Sequence, residues 1–134
     1  MLKITTEISV PFHDVDAMGV VWHGRYVKYL EVARCLLLDS FDYGYENMRD
    51  SGFAWPVVDM RIKYVKSLRM DQVILVDAEV IEWENRLKIK YLIRDKETGA
   101  RISKAHTVQM AVDMSAEELC LESPPILLEK LGLA

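Results

Sequence analysis

Two acidic residues just before a long apolar segment are the strongest functional signal in the sequence. Asp14 and Asp16 stand in a short polar stretch that follows a strand-like segment. Gly19, three apolar residues and the pair His23 and Gly24 follow, and a helical pattern then begins. The first turn of a helix has unpaired N–H groups and a partial positive charge, so it can polarise a carbonyl or hold an oxyanion. An acid facing such a turn indicates an enzyme.

The element order that must position these residues is one strand, one long helix and then four strands. Residues 2–10 alternate loosely and end at Pro11, which suits a first strand. From residue 24 to about 41 the apolar positions cover nearly the whole circumference, which predicts a buried helix. After a short turn of helix near 46–49 the period changes to two, and strands are predicted at 60–65, 73–81, 87–94 and 107–114, with a terminal helix at about 125–131. Four strands in an antiparallel meander, joined to the first, make one sheet that can curl around a single buried helix.

Composition limits the class of protein. The chain has 134 residues, 51% of them hydrophobic and 28% charged, which is typical of one globular domain. A net charge of −4 gives no electrostatic case for nucleic acid. Cys35 and Cys120 lack the spacing of a metal site. With no secretion signal and no membrane-spanning run, a cytoplasmic location is expected.

The residues from Phe12 to Tyr26 form a longer pattern of acids, glycine and aromatic side chains. It reads aromatic, Asp-x-Asp-x-x-Gly, two valines, an aromatic residue, His and, three positions on, Tyr. This pattern and the segment from Tyr29 to Arg34 resemble the hotdog-fold acyl-CoA thioesterases of the 4-hydroxybenzoyl-CoA type, including the short-chain enzymes associated with the Tol-Pal system. The resemblance implies an α+β hotdog fold, a curled antiparallel five-stranded sheet wrapped around one long central helix. It also implies a single thioesterase domain over residues 1–134.

The resemblance implies hydrolysis of an acyl-CoA thioester to the free acid and CoA. No metal and no other cofactor are expected, with the CoA thioester as a substrate. The resemblance makes Asp16 the catalytic carboxylate, as a nucleophile or as a general base on water. It places the oxyanion contact at the backbone N–H of His23, with Gly24 beside it, and Trp22 and Tyr26 among the substrate-binding residues. The His23 side chain can position substrate, fill a structural role or protonate the leaving thiolate, and substrate positioning is the favoured interpretation.

Two other acids need a separate interpretation. Asp14 is better explained as a residue that stabilises the turn than as a catalytic one. Glu31 is a competing catalytic carboxylate, because another hotdog branch places its acid on the central helix after a His-Gly pair. Glu31 and Arg34 lie three apart on the predicted helix, however, so a structural ion pair between them is the favoured interpretation.

The phosphates of CoA require local basic residues on an acidic protein. The densest group is Arg61, Lys63, Lys66 and Arg69, and the first three are the predicted substrate-binding cations. Arg86, Lys88 and Lys90 form a second group, and either group can simply be the solvated face of a strand. Apolar residues after the helix, among them Phe53, Trp55, Pro56 and Val57, are candidates for the acyl pocket, with Trp55 equally suited to the core. The chain departs from the family pattern at Ser67, often Pro, and at Arg25, often Asn.

Two alternatives to a thioesterase stay open. One is a hotdog hydratase or dehydratase, although the sequence has no His-Pro-Gly segment of that type. The other is a non-catalytic module that binds acyl thioesters. The expected partner is a small acyl-CoA, with an acyl carrier protein as the alternative donor and no nucleic acid or membrane. Because a five-stranded sheet leaves edges to cover, the resemblance implies a homodimer with sites at its interface, or a homotetramer.

Overall fold

A five-stranded antiparallel sheet packed against one long helix forms the body of the protein, for which a computed structural model describes residues 2–133. Two short 3₁₀ turns, Phe12–Asp14 and His23–Arg25, precede the long helix. The helices are α1 (Tyr26–Ser40), α2 (Tyr45–Asp50) and α3 (Pro125–Lys130). The strands are β1 (Lys3–Ser9), β2 (Phe53–Ala54), β3 (Val57–Tyr64), β4 (Val73–Glu82), β5 (Leu87–Asp95), β6 (Arg101–Gln109), β7 (Val112–Asp113) and β8 (Glu118–Leu119). The predicted α+β fold is confirmed.

The strand order of the large sheet is β1-β4-β5-β6-β3, so the predicted four-strand meander is wrong. Only β4, β5 and β6 follow one another as a meander, while β3 pairs with β6 and β1 pairs with β4. Strand β3 therefore lies at one edge, and residues 65–72 carry the chain across the end of the sheet to β4. Periodicity identifies strands but not their neighbours, which is why this crossing was missed. The crossing segment touches the loop that carries Asp16.

The last predicted strand, at 107–114, is also displaced. Strand β6 begins at Arg101 and ends at Gln109, and Val112–Asp113 instead joins β2 and β8 in a separate three-stranded sheet. The inward-facing residues of β6 include Thr107 and Gln109, both fully buried. Gln109 donates its Nε2 hydrogen to the Trp55 carbonyl at 2.8 Å. Buried polar residues on the inner face broke the apolar alternation that sequence analysis uses to place a strand.

Helix α1 supplies the centre of the core. Tyr29, Leu30, Ala33 and Leu37 are essentially inaccessible to solvent and pack against the inner face of the sheet. The prediction of a helix buried on all sides is wrong, because Val32 and Leu36 are 41% and 46% exposed. No helix within residues 2–133 is long and apolar enough to cross a membrane.

Candidate active site

A buried carboxylate ties the loop before α1 to the helix itself. The Asp14 side chain has no exposed surface and accepts hydrogen bonds from Lys28 Nζ at 2.7 Å and from the Tyr29 hydroxyl at 2.7 Å. Hydrogen bonds from Lys28 and Tyr29 outweigh the burial that opposes ionisation, so the pKa of Asp14 lies below its usual value. Burial and the same Asp14 contact raise the pKa of Tyr29. Asp14 is thus an ionised anchor, which agrees with its interpretation as a stabilising residue.

Asp16 lies two residues further on, in an exposed turn of defined geometry. Its Oδ1 accepts hydrogen bonds from the backbone N–H of Met18 at 2.8 Å and of Val20 at 3.4 Å. The turn closes through Asp16 N to Val20 O at 2.9 Å, and Gly19 adopts a left-handed φ of 77° that a glycine accommodates without strain. Within the described part of the chain, Oδ2 of Asp16 has no hydrogen-bond partner. One carboxylate oxygen therefore fixes the side chain, and the other is left unbonded.

The crossing segment between β3 and β4 lies against the Asp16 turn and the start of the helix. Val21 N donates to Leu68 O at 2.7 Å, and the Tyr26 hydroxyl donates to Lys66 O at 3.3 Å. At the end of β3, the Tyr64 hydroxyl donates to the carbonyl of His23 at 2.8 Å. These bonds hold the Asp16 turn, the start of the helix and the crossing segment in one arrangement.

The start of the helix presents donors that lack acceptors. His23–Arg25 is a 3₁₀ turn leading into α1, and no side chain caps either element. Among residues 2–133, the backbone N–H groups of His23 and Gly24 have no intramolecular acceptor. A Cβ at position 24 would overlap the Trp22 indole, so glycine is needed there for the indole to lie against the backbone. The oxyanion contact is predicted at the first of these N–H groups, with Gly24 beside it, and that role stays a prediction.

These features meet in one cleft of about 310 Å³. Five of the predicted residues line it: Asp16, Trp22, His23, Tyr26 and Lys66. Gly24 adjoins it through the helix start. Sequence analysis missed Tyr64 and Ser67, which also line the cleft and come from the end of β3 and the crossing segment. Only the strand order brings these two residues to the motif, so no local signal could have identified them.

Arg61 and Lys63 lie outside the Asp16 cleft. They alternate with Ile62, which packs against the core, and so belong to the opposite face of β3. Their cross-strand neighbours are His106 and Lys104, and neither Arg61 nor Lys63 lines the Asp16 cleft. Of the three predicted substrate-binding cations, the structure brings only Lys66 to the cleft.

The predicted ion pair between Glu31 and Arg34 is not formed within the described residues. Arg34 is almost fully buried and donates to the Tyr45 hydroxyl at 3.2 Å through Nη2, whereas Glu31 is exposed. Glu31 does not line the Asp16 cleft either. Helical spacing allows the ion pair but does not require it. A buried guanidinium forms its hydrogen bonds with groups inside the protein, whereas Glu31 lies at the surface. Of the two acids Asp16 and Glu31, only Asp16 lines the cleft.

The apolar residues after α2 form a separate pocket. Phe53, Trp55 and Pro56 line a space of about 430 Å³ against Tyr45 and Met48, without Val57 or any residue of the Asp16 cleft. Trp55 is buried and donates its Nε1 hydrogen to the Tyr43 hydroxyl at 3.0 Å, which is a core role. No cluster within residues 2–133 has three or more His, Cys, Asp or Glu residues placed to hold a metal ion.

Comparison with known proteins places the chain in a family. Residues 10–131 match the model of the thioesterase-like superfamily. The acyl-CoA thioesterase YbgC of Haemophilus influenzae is 29% identical over 99 residues, which cover 68% of this chain and 73% of that protein.

Two solved structures share the fold. The DHNA-CoA thioesterase of Staphylococcus aureus superposes with a TM-score of 0.85 at 26% identity, covering 98% of this chain and 90% of that one. A 4-hydroxybenzoyl-CoA thioesterase in complex with 4-hydroxybenzoyl-CoA gives a TM-score of 0.83 over 97% of this chain and 99% of that one, and at 18% identity this likeness concerns the fold alone. The predicted hotdog fold and the resemblance to this group of thioesterases are confirmed. The chain belongs to the thioesterase-like superfamily.

Proposed function

We propose that this protein hydrolyses acyl-CoA thioesters, with Asp16 as the catalytic carboxylate. The observation that carries the proposal is that one cleft is lined both by Asp16, whose Oδ2 has no hydrogen-bond partner among the described residues, and by His23, whose backbone N–H at the start of the helix has no acceptor there. An acid and a set of oxyanion donors are the two components that thioester hydrolysis requires. Membership of the superfamily and the named activity of the Haemophilus influenzae relative support the same reaction.

Two routes are consistent with this arrangement. In the first, an oxygen of Asp16 attacks the thioester carbon, the C–S bond breaks, the thiolate leaves and takes a proton from water, and water then hydrolyses the mixed anhydride. In the second, Asp16 removes a proton from water, whose oxygen attacks the same carbon, and the proton passes to the departing thiolate. Both routes place negative charge on the carbonyl oxygen. The N–H groups of His23 and Gly24 would stabilise that charge, each contributing about 3 kcal/mol by comparison with other oxyanion donors.

The aromatic side chains of the cleft have a role in substrate positioning. Trp22 and His23 lie with ring centroids 5.0 Å apart, and the rings of Tyr26 and Tyr64 meet edge to face at 4.7 Å. Because the oxyanion contact of His23 is a backbone one, replacing its side chain leaves that contact in place. We therefore expect His23→Ala to retain activity within about tenfold of the wild type, which is far less than the loss of an essential donor.

Release of free thiol from a panel of short, long and aromatic acyl-CoAs tests the activity. Turnover of at least one acyl-CoA that depends on the protein concentration supports the proposal. If no acyl-CoA is turned over and the same acyl groups on an acyl carrier protein are, the substrate class is wrong but the reaction is right. If neither is hydrolysed although the ligand binds, the protein is a binding module and the proposal fails.

The protein is further proposed to act as a homodimer or a homotetramer built from such dimers. Strand β3 pairs only with β6, so its other edge is unpaired within residues 2–133, and Val58 and Val65 beside it are exposed. An exposed edge next to apolar side chains is a surface that proteins normally cover. Light scattering coupled to size exclusion measures the assembly. A mass of one chain at micromolar concentration contradicts the proposal.

A further inference from the structure

Any enzyme that binds CoA must accommodate several phosphate charges, and this protein has a net charge of −4. Its overall field repels a polyanion, so the phosphates need a local surface with uncompensated cations. That surface must also connect to the cleft that holds the thioester.

A groove of about 470 Å³ meets the first condition but not the second. It runs over the outer face of the sheet, where Lys88, Arg101 and Lys104 form no ion pair within residues 2–133 and Lys90 pairs with Glu79 at 3.3 Å. It has no lining residue in common with the Asp16 cleft. Positive charge alone therefore does not identify the phosphate surface.

A second groove, of about 370 Å³, continues directly from the Asp16 cleft. The two spaces have Lys66 and Ser67 in common, and Arg69, Gln72, Asp95 and Thr98 line the further part, which we call the side groove. The backbone of the crossing segment, which lies between the cleft and the side groove, is held in place on both sides. Lys66 N donates to Ile102 O at 3.0 Å, and Arg69 forms a β-bridge with Val20 of the Asp16 turn. A ligand can thus lie in the cleft and the side groove at once.

The side groove presents positive charge. Lys66 and Arg69 are exposed, and neither has an ion-pair partner among residues 2–133. The acid that lines this groove, Asp95, has both oxygens occupied: Gln72 Nε2 donates to Oδ1 at 3.0 Å, and Thr98 donates to Oδ2 from its N–H and its hydroxyl, both at 2.8 Å. Asp95 forms no ion pair with Lys66 or Arg69 within residues 2–133, and the two cations outnumber this one acid. The Ser67 hydroxyl adds a neutral donor at the junction.

We propose that the side groove binds the phosphate groups of CoA through Lys66 and Arg69 while the thioester lies beside Asp16. Arg69 is then a substrate-binding residue, and the outer-face cations Arg61 and Lys63 are not. The groove selects thioesters that carry phosphate over phosphate-free ones. This inference rests on the proposed function for the position of the thioester, but not for the binding of CoA itself.

The test compares one acyl group on CoA and on pantetheine, which lacks the nucleotide phosphates. In Lys66→Ala/Arg69→Ala, we expect KM for the acyl-CoA to rise about tenfold or more, from the loss of two charge-assisted phosphate contacts, with kcat within about twofold. KM for the acyl-pantetheine should stay unchanged. The matched control is Lys88→Ala/Lys104→Ala, which removes two cations from the outer-face groove and should leave both substrates unaffected.

Three outcomes overturn the inference. One is an equal rise in KM for both substrates, which would report a change in the cleft and not a lost phosphate contact. Another is an equal effect of the control pair, which would report net charge alone. The third is a rise in KM for acyl-CoA in Arg61→Ala/Lys63→Ala without one in Lys66→Ala/Arg69→Ala.

Calorimetric titration with CoA alone separates this inference from the proposed reaction. A Kd that weakens about tenfold in Lys66→Ala/Arg69→Ala supports the side groove even if the wild type hydrolyses nothing. An unchanged Kd, or no binding of CoA to the wild type, overturns the side groove even if hydrolysis is observed.

Discussion

Replacing Asp14 by Asn removes the charge of the buried anchor with almost no change of size. The carboxylate accepts bonds from Lys28 and Tyr29, and hydrogen bonds to a charged group contribute about 1 kcal/mol more each than neutral ones. Lys28 is 44% exposed, so water hydrates its ammonium group when the charge of Asp14 is removed. This hydration reduces the loss of stability that comes from the Lys28 contact. We therefore expect Asp14→Asn to lower the free energy of unfolding by about 2 kcal/mol.

The same substitution should affect catalysis, because Asp14 holds the turn that carries Asp16. We expect kcat to fall about tenfold with a small change in KM, since a misplaced acid costs more in the transition state than in binding. Urea denaturation measures the stability, and thiol release measures the rate. Asp50→Asn is the matched control, because its side chain is 76% exposed and such a site changes stability by less than about 0.5 kcal/mol.

A cycle with Tyr29→Phe isolates the contact. If the anchor works as described, the two substitutions are coupled by about 1 kcal/mol, because Asp14→Asn weakens the hydrogen bond that Tyr29→Phe removes. If the effects of the two substitutions on the free energy of unfolding are additive, the Tyr29 hydrogen bond adds nothing to stability. An Asp14→Asn protein with the stability and kcat of the Asp50→Asn control would refute the reasoning altogether.

Further predictions concern the helix start and the pH dependence. Tyr64→Phe removes the bond to the His23 carbonyl and should lower kcat about fivefold at near-constant KM in steady-state kinetics, whereas an unchanged kcat would leave this bond without a role. Gly24→Ala displaces the Trp22 indole and should lower kcat/KM about tenfold, an effect that shrinks in the Gly24→Ala/Trp22→Ala double variant. Burial opposes ionisation of Asp14 and Asp77, but hydrogen bonds from Lys28 and Arg94 outweigh it and hold both pKa values below the usual range. As the pH falls, these two carboxylates therefore bind protons in the unfolded chain before they do so in the folded one. The stability from these groups should be complete above a pH of about 4 and lost at lower pH in urea titrations; stability that rises on acidification would contradict this assignment.

How far the sequence predicts the site depends on whether residues are neighbours along the chain. Asp16, Trp22, His23 and Tyr26 fall within one turn and the helix that follows, so their motif was enough to bring them together. Tyr64 and Ser67 reach the same cleft only because β3 pairs with β6 and the chain then crosses the end of the sheet. No periodicity in the sequence encodes that pairing.

The basic residues show a related limit. Arg61 and Lys63 stand close to Lys66 along the chain, but they belong to an alternating strand whose inward side includes Ile62. Lys66 follows the end of that strand, where alternation no longer decides the side. Likewise, the spacing of Glu31 and Arg34 suited an ion pair, while burial of the guanidinium directed it to Tyr45. Density of charge along the chain therefore did not predict which cations share a surface.

The most direct measurement is kcat for the best acyl-CoA in three proteins: the wild type, Asp16→Asn and Glu31→Gln. Asp16 lines the cleft with a free oxygen, whereas Glu31 is exposed and lies outside it. We predict that Asp16→Asn folds normally and loses at least about a hundredfold in kcat, as expected for removal of a nucleophile or base, while Glu31→Gln stays within about threefold of the wild type. A hundredfold loss in Glu31→Gln with Asp16→Asn still active would contradict the assignment of the catalytic acid.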